Sequence, residues 1–338
     1  MATLGSTYLT LIDWAQRQKP GGGIDEIIEV LANTNPIIGD ASVMEGNLPT
    51  GHRTTKRSSD PTGTWRLLNY GVAPEKSTTE QITDLCGILE SYSKLDVDLA
   101  SLNSDEAAFR ASEDNAFITG FNDTIATALF YGDQNNDPEK MHGLGPRYNY
   151  TDSPSGASST QVISCGGSGD DNTSIWIITW GPQTCSLMFP KGSMAGLQSE
   201  DLGKILTVDS TGVYNYMAWV TRFQWKIGLV LRDYRYVIRL CNIDVSDLSA
   251  TAATGADLMD KLVDGYYARP TVDLGNQART FIYCNKTVAK YLHKQAQNKS
   301  NVNLTIDNPA GKPVVSFLDA PIHVCDNITS AEATISTA

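Results

Sequence analysis

Apolar residues recur at intervals of four through residues 104–131, where Phe117, Phe121, Ile125 and Leu129 draw one unbroken stripe. That period predicts an amphipathic helix, about 40 Å long if it is continuous. Asn103 and Glu106 supply a capping arrangement, and Asp105 places negative charge in the first turn. The segment holds no proline and one glycine, Gly120, which costs about 1 kcal/mol. Gly132-Asp133 ends it. Most globular helices are far shorter, so this one reads as a spine for a whole domain.

The pattern elsewhere is more broken. Residues 6–17 gather Tyr8, Leu11, Ile12 and Ala15 towards one side, and Lys19-Pro20-Gly21-Gly22-Gly23 stops the helix. Ile24, Ile27, Ile28 and Leu31 give a second short helix one sticky face, closed by Asn35-Pro36. Two short helices split by glycines form a weak core of their own and predict an arm that lies on something larger. Residues 78–99 are weakly periodic and read as a limb returning to the main body.

Beyond a Gly/Ser-rich loop at 143–169, Ser174–Trp180 and Thr184–Phe189 flank Gly181-Pro182-Gln183 and predict a hairpin. Phe223, Trp225, Ile227 and Leu229 alternate as in a half-buried strand. Helices are expected over 257–267 and over 286–297, the latter capped by Asn285. Short strands are expected at 280–284 and within 314–325. The chain is α+β, without an internal repeat.

Charge changes the reading of one segment. The formal net charge is -12, yet between residues 51 and 66 Arg53, Lys56, Arg57 and Arg66 face only Asp60. Gly and Pro punctuate this stretch, Thr64–Tyr70 can be a strand, and little apolar material is present to bury it. It reads as a projecting loop whose cations and Trp65 dock on a second, acidic copy of the chain. Contact with nucleic-acid phosphate and a plain solvated loop are the competing readings.

Composition adds limits. With 338 residues the chain can bury a sizeable core. Only 19% of residues are charged, as for a surface partly covered by neighbours. There is no secretory-type opening and no apolar run of membrane-spanning length. The six scattered cysteines read as buried thiols rather than a disulfide framework. No phosphate-cradling, dinucleotide, calcium-loop or zinc motif occurs, so no catalytic, cofactor or metal residue is assigned. Three weaker groupings remain: His323 with Cys325 on one strand face, Asp257 with Asp260 and Asp264 on one helix side, and Trp176 with Trp180 as a stacking platform. Core packing and solvated surface explain them more simply.

The order of elements resembles the major capsid proteins of tailed bacteriophages that share the HK97 fold, especially those of short-tailed phages. The residues that carry the likeness are Asn35-Pro36-Ile37-Ile38, Glu45-Gly46-Asn47, Thr50-Gly51-His52 and Trp65-Arg66-Leu67-Leu68-Asn69-Tyr70-Gly71-Val72. The long helix running into Phe130-Tyr131-Gly132-Asp133, and then Gly143-Leu144, complete it. The resemblance implies an N-terminal arm (1–38) crossing a neighbour, an extended β-hairpin loop (39–80) and a peripheral domain (81–204) holding the spine helix. An axial domain (205–315) follows, then a return to the peripheral domain (316–338).

It also implies a structural, non-enzymatic protein assembling as hexamers and pentamers into an icosahedral shell around double-stranded DNA. The expected partners are a portal, a separate scaffolding protein and a decoration protein, with no membrane; the place of action is the virion, after synthesis in the host cytoplasm. A nanocompartment shell of the same fold is the structural alternative. A carbohydrate-active hydrolase using Trp176 and Trp180 is the enzymatic one.

Overall fold

A computed structural model describes residues 35–102, 106–151, 159–208, 213–251, 255–270, 278–298, 304–307 and 314–336. The helices expected at 6–17 and 24–32, and the Asn103 cap, lie outside these residues. In chain order the elements are α1 (Ile37–Asp40), β1 (Val43–Glu45), β2 (Gly51–Ser59), β3 (Thr78–Asp96), α2 (Val97–Ser101) and α3 (Glu106–Tyr131). Then come β4 (Val162–Ser164), β5 (Asn172–Trp180), β6 (Cys185–Phe189), β7 (Leu197–Val208), β8 (Asn215–Leu231) and β9 (Val237–Asp244). The chain closes with α4 (Leu258–Ala268), β10 (Arg279–Cys284), α5 (Lys286–Asn298), β11 (Leu304–Asp307), β12 (Val314–Phe317) and β13 (Ala320–Val324).

The centre is the run β10–β5–β9, antiparallel throughout. Every residue of β5 is buried. Side chains alternate across a strand, so these three strands feed two cores. Ile175, Ile177, Ile238, Leu240 and Ile282 meet α4 and α5 on one face, through Leu258, Leu262, Val288 and Leu292. On the other face Trp176, Ile178, Trp180, Val237 and Tyr283 meet the carboxyl half of α3, through Ile125, Leu129 and Phe130.

The same arrangement corrects the hairpin expected between Ser174–Trp180 and Thr184–Phe189. β9 and β10 occupy both edges of β5, so β6 touches β5 only in a parallel bridge at Trp180 and Cys185. It pairs instead with β8, antiparallel, and β1, parallel.

α3 forms where its stripe predicts, over Glu106–Tyr131 among the described residues. Phe117 and Phe121 sit 5.8 and 6.4 Å from the Phe223 ring of β8. Arg110 reaches Asp201 of β7 at 2.8 Å and lies 4.4 Å over the Trp219 ring. A helix leaves its last carbonyls unpaired; here the returning chain answers them, with Leu144 N–H donating to Leu129 O and Gly145 N–H to Phe130 O. Only glycine permits this approach at residue 143, where a Cβ would stand 2.6 Å from Ala128 O.

The boundary expected at residue 205 falls inside β7, a continuous strand paired with β8 along its length. β8 in turn pairs with β3 and α3 packs over both, so the hairpin β7–β8 belongs with the spine helix.

The last described residues, 325–336, strap the two cores together. Asn242 exchanges hydrogen bonds with the Ile335 backbone, and Asn285 Nδ2 donates to Ile328 O. Inside the strap Glu332 meets Arg239 at 2.8 Å, both side chains buried. Arg239 also donates to Ser174 Oγ and Tyr148 O and stacks 4.9 Å over Trp176. Tyr131 donates to Glu332 at 2.6 Å; burial first, then the carboxylate, raise its pKa well above the ordinary value. The polar side-chain atoms of Arg239, Glu332, Ser174 and Tyr131 all have partners within this knot, the condition under which a buried ion pair is tolerated.

Glu332→Gln leaves Arg239 buried beside a neutral amide and should cost about 3–5 kcal/mol, read by urea unfolding of the soluble protein. Exposed Lys140→Ala, which breaks only the surface pair with Asp137, should cost under about 1 kcal/mol. Along α3 and its return, Gly120→Ala meets nothing within 4 Å and should gain about 0.5–1 kcal/mol. Gly143→Ala should lose on the order of 2 kcal/mol, giving thermal midpoints that move in opposite directions.

Candidate functional site

β2 and the first half of β3 form a two-stranded antiparallel ribbon, from Gly51 opposite Leu85 to Ser59 opposite Thr78. The second half of β3, Cys86–Asp96, pairs with β8 in the body. One 19-residue strand therefore serves both parts, spanning about 60 Å at the usual rise. This accounts for the weak periodicity at 78–99: the two halves of one strand have different neighbours on different faces.

The root of the ribbon is buried and polar. Asp84, 4% exposed, accepts from Arg147 Nη2 at 2.8 Å and from the Leu231 backbone N–H at 3.3 Å. His52 Nε2 lies 3.2 Å from Arg232 Nη2. Burial, and then the Arg232 charge, lower the His52 pKa below its ordinary 6.5, with Asp84 opposing. The imidazole is thus neutral at pH 7 and Nε2 accepts from the guanidinium. Gly51 is required here, because a Cβ would lie 2.0 Å from Asp84 O. Asn47 completes the root by acting as a short strand: its Oδ1 accepts from Arg53 N–H at 2.7 Å and its Nδ2 donates to Arg53 O at 2.8 Å.

Beyond the root the ribbon is solvated. Arg53 Nε donates to Thr83 Oγ1, Lys56 pairs with Glu80 at 3.3 Å and Arg57 with Asp60 at 3.4 Å. Such exposed pairs contribute at most about 1 kcal/mol each, so these cations can exchange one carboxylate for another at little cost. At the tip Glu75 accepts from the Thr62 and Gly63 backbone. The strand expected at Thr64–Tyr70 is absent: the segment is an open turn, with Tyr70 N–H donating to Leu67 O. At the end of a two-stranded ribbon it has no third strand to pair with.

The tip carries the feature that charge reasoning missed. Trp65 is 102% exposed and Leu68 82%, with Leu67, Tyr70 and Val72 also exposed. Arg66 is exposed among them. Trp65, Leu67, Leu68 and Tyr70 signalled this in the sequence, as a dense apolar run inside a loop too polar to have a core. A second exposed apolar area stands at the end of β7–β8, with Leu206, Val213 and Tyr214.

The other groupings lose their ligand-binding readings. Trp176 and Trp180 are inside the core, with Trp180 Nε1 donating to Tyr283 OH, so neither can stack on a sugar or base. His323 and Cys325 do not meet: His323 Nδ1 pairs with Asp40 at 2.6 Å, while Cys325 donates to Asn35 Oδ1. Burial raises the Cys325 thiol to about 11, and it likewise pushes Cys185 and Cys284 up to about 12. At neutral pH these are thiols rather than nucleophilic thiolates. Asp257 caps α4 and Asp264 pairs with Lys261. No cluster of metal-ligating residues occurs among the described residues.

Comparison with known proteins bears on this geometry. A family model described as major capsid protein GP7 matches residues 19–336. A chain in a structure of bacteriophage Epsilon15 is 37% identical, covers 100% of both chains and gives a TM-score of 0.81. A chain of the bacteriophage JBD30 capsid, 10% identical over 88% of this chain and 93% of its own, gives 0.51 and shares the fold alone. Comparison with curated proteins returns no match. A projecting ribbon, a spine helix and two cores back to back, in a chain matched over nearly its whole length, belong to the GP7 family of major capsid proteins and to the HK97-like capsid fold.

Proposed function

We propose that this protein, a structural component of an icosahedral virion shell, uses the ribbon 51–85 to hold the next copy. The observation that carries the reading is the tip. Trp65, Leu67, Leu68 and Tyr70 stand in water at the end of a ribbon whose root is fixed by buried polar contacts. Exposed apolar surface of this kind is unfavourable unless a partner covers it, and the ribbon cannot fold back without breaking its root. Arg53, Lys56, Arg57, Trp65 and Arg66 are the intersubunit contacts: the aromatic and aliphatic side chains supply burial, and the cations set register against an acidic neighbour.

The remaining organisation is read accordingly. Residues 1–38 are the arm, and the ribbon with its lead-in from residue 39 is the extended loop. α3 with β3, β7 and β8 is the peripheral domain. The core built on α4, α5, β9 and β10 is the axial domain, facing the symmetry axes of hexamers and pentamers. Its sequence boundary follows β8 rather than residue 205. Double-stranded DNA is the cargo, and a net charge of -12 suits a lining that does not grip it. Portal, scaffolding and decoration proteins complete the partners of such a shell.

Two variants test the ribbon's role. Arg53→Glu/Lys56→Glu/Arg57→Glu and, separately, Trp65→Ser/Leu68→Ser should each lower particle yield at least tenfold, counted by electron microscopy. Helical content and thermal midpoint of the soluble protein should stay near those of the parent, since these side chains are outside both cores. Normal particle yield from both variants would remove the ribbon from the assembly surface.

A further inference from the structure

We propose that the apolar groove beside the carboxyl half of α3 is the seat of residues 24–32 of the same chain. The inference concerns a single copy and does not depend on the role given to the ribbon.

The groove has a volume of about 500 Å³ and is walled by Ile88 and Leu89 of β3, Ile125 and Ala128 of α3, Met141 and Ile227 of β8. Ile88 is 59% exposed. A closed core does not keep a void of this size, and its lining is too apolar to be left to water. A smaller depression of about 250 Å³ adjoins it: Ile227 lines both, and Ile38 lines the second.

The way the arm enters the body decides the occupant. Asn35 Nδ2 donates to Asp123 Oδ1 at 2.6 Å, and the Cys325 thiol donates to Asn35 Oδ1 at 3.2 Å. Asp123 itself lines the groove, so the chain is pinned at the rim. Pro36 disfavours helical backbone at Asn35, which separates the segment upstream from α1. That segment carries Ile24, Ile27, Ile28 and Leu31 on one side and Asp25, Glu26 and Glu29 on the others, an apolar ridge with a charged back.

Ile27 lies eight residues before Asn35, a span of at most about 28 Å when extended, within reach of the whole groove. A tether so short holds the ridge at about millimolar effective concentration, ahead of any segment from a second copy.

Cysteine pairs in the full chain test this. Ile27→Cys/Thr124→Cys should form an intramolecular disulfide in most molecules on mild oxidation of the unassembled protein, located by mass mapping so that native thiols are not mistaken for it. Glu26→Cys/Thr124→Cys, which turns the charged back to the same anchor, should cross-link at least fivefold less. Thr127→Cys serves as a second anchor should Thr124→Cys misfold. Cross-links between molecules would assign the groove to a second copy and overturn the proposal. Absence of cross-linking at both anchors, or equal cross-linking from Ile27→Cys and Glu26→Cys, would overturn it as well.

Discussion

Burial of β5 on both faces and along both edges is the constraint from which the rest of the architecture follows. With β9 and β10 taking its hydrogen bonds, and with Ile175 and Ile177 pointing one way while Trp176, Ile178 and Trp180 point the other, the strand has no solvated side. Two helical layers must then exist, one for each face. The core under α4 and α5 and the core under α3 are therefore not separate domains joined by a linker; they are two sides of one set of strands. A change in volume at Trp176 or Ile177 would be felt on its own side only, because alternate residues report to different cores.

The strap at 325–336 and the knot of Arg239, Glu332, Tyr131 and Ser174 sit where these layers meet. An ion pair in that place contributes less to stability than an apolar contact of the same volume would. What it supplies is direction: a guanidinium with fixed donors accepts one arrangement of strap and helix, where a greasy contact would tolerate several. The asparagines that hold the strap backbone, Asn242 and Asn285, act in the same sense.

Much of this was legible in the sequence, and the failures have identifiable causes. The spine helix announced itself through one long stripe, since a helix packed along one side keeps its period wherever it is placed. The strand Phe223–Leu229 did so through alternation. Gly181-Pro182-Gln183 reads locally as a hairpin turn, but local chemistry cannot say that both edges of the preceding strand are taken. β3 defeated pattern reading because its environment changes at Cys86. The basic residues of the ribbon were legible as a cluster, yet their pairing with Glu80 and Asp60 depends on register across the ribbon. Of the apolar tip only Trp65 entered the reading beside the charges, although nothing within the loop could have buried Leu67, Leu68 or Tyr70 either.

The continuity of β3 also has a mechanical meaning. Its first half lies in the projecting ribbon and its second half is laced to β8 from Cys86 to Asp96. A pull applied at the ribbon tip would run along covalent bonds into the middle of the body and load the β3–β8 rungs side by side. Rungs loaded together must break together, whereas a ribbon hung from a loop would peel one bond at a time. A load taken up at the far end of the ribbon would thus be borne deep inside the brick and not at its edge.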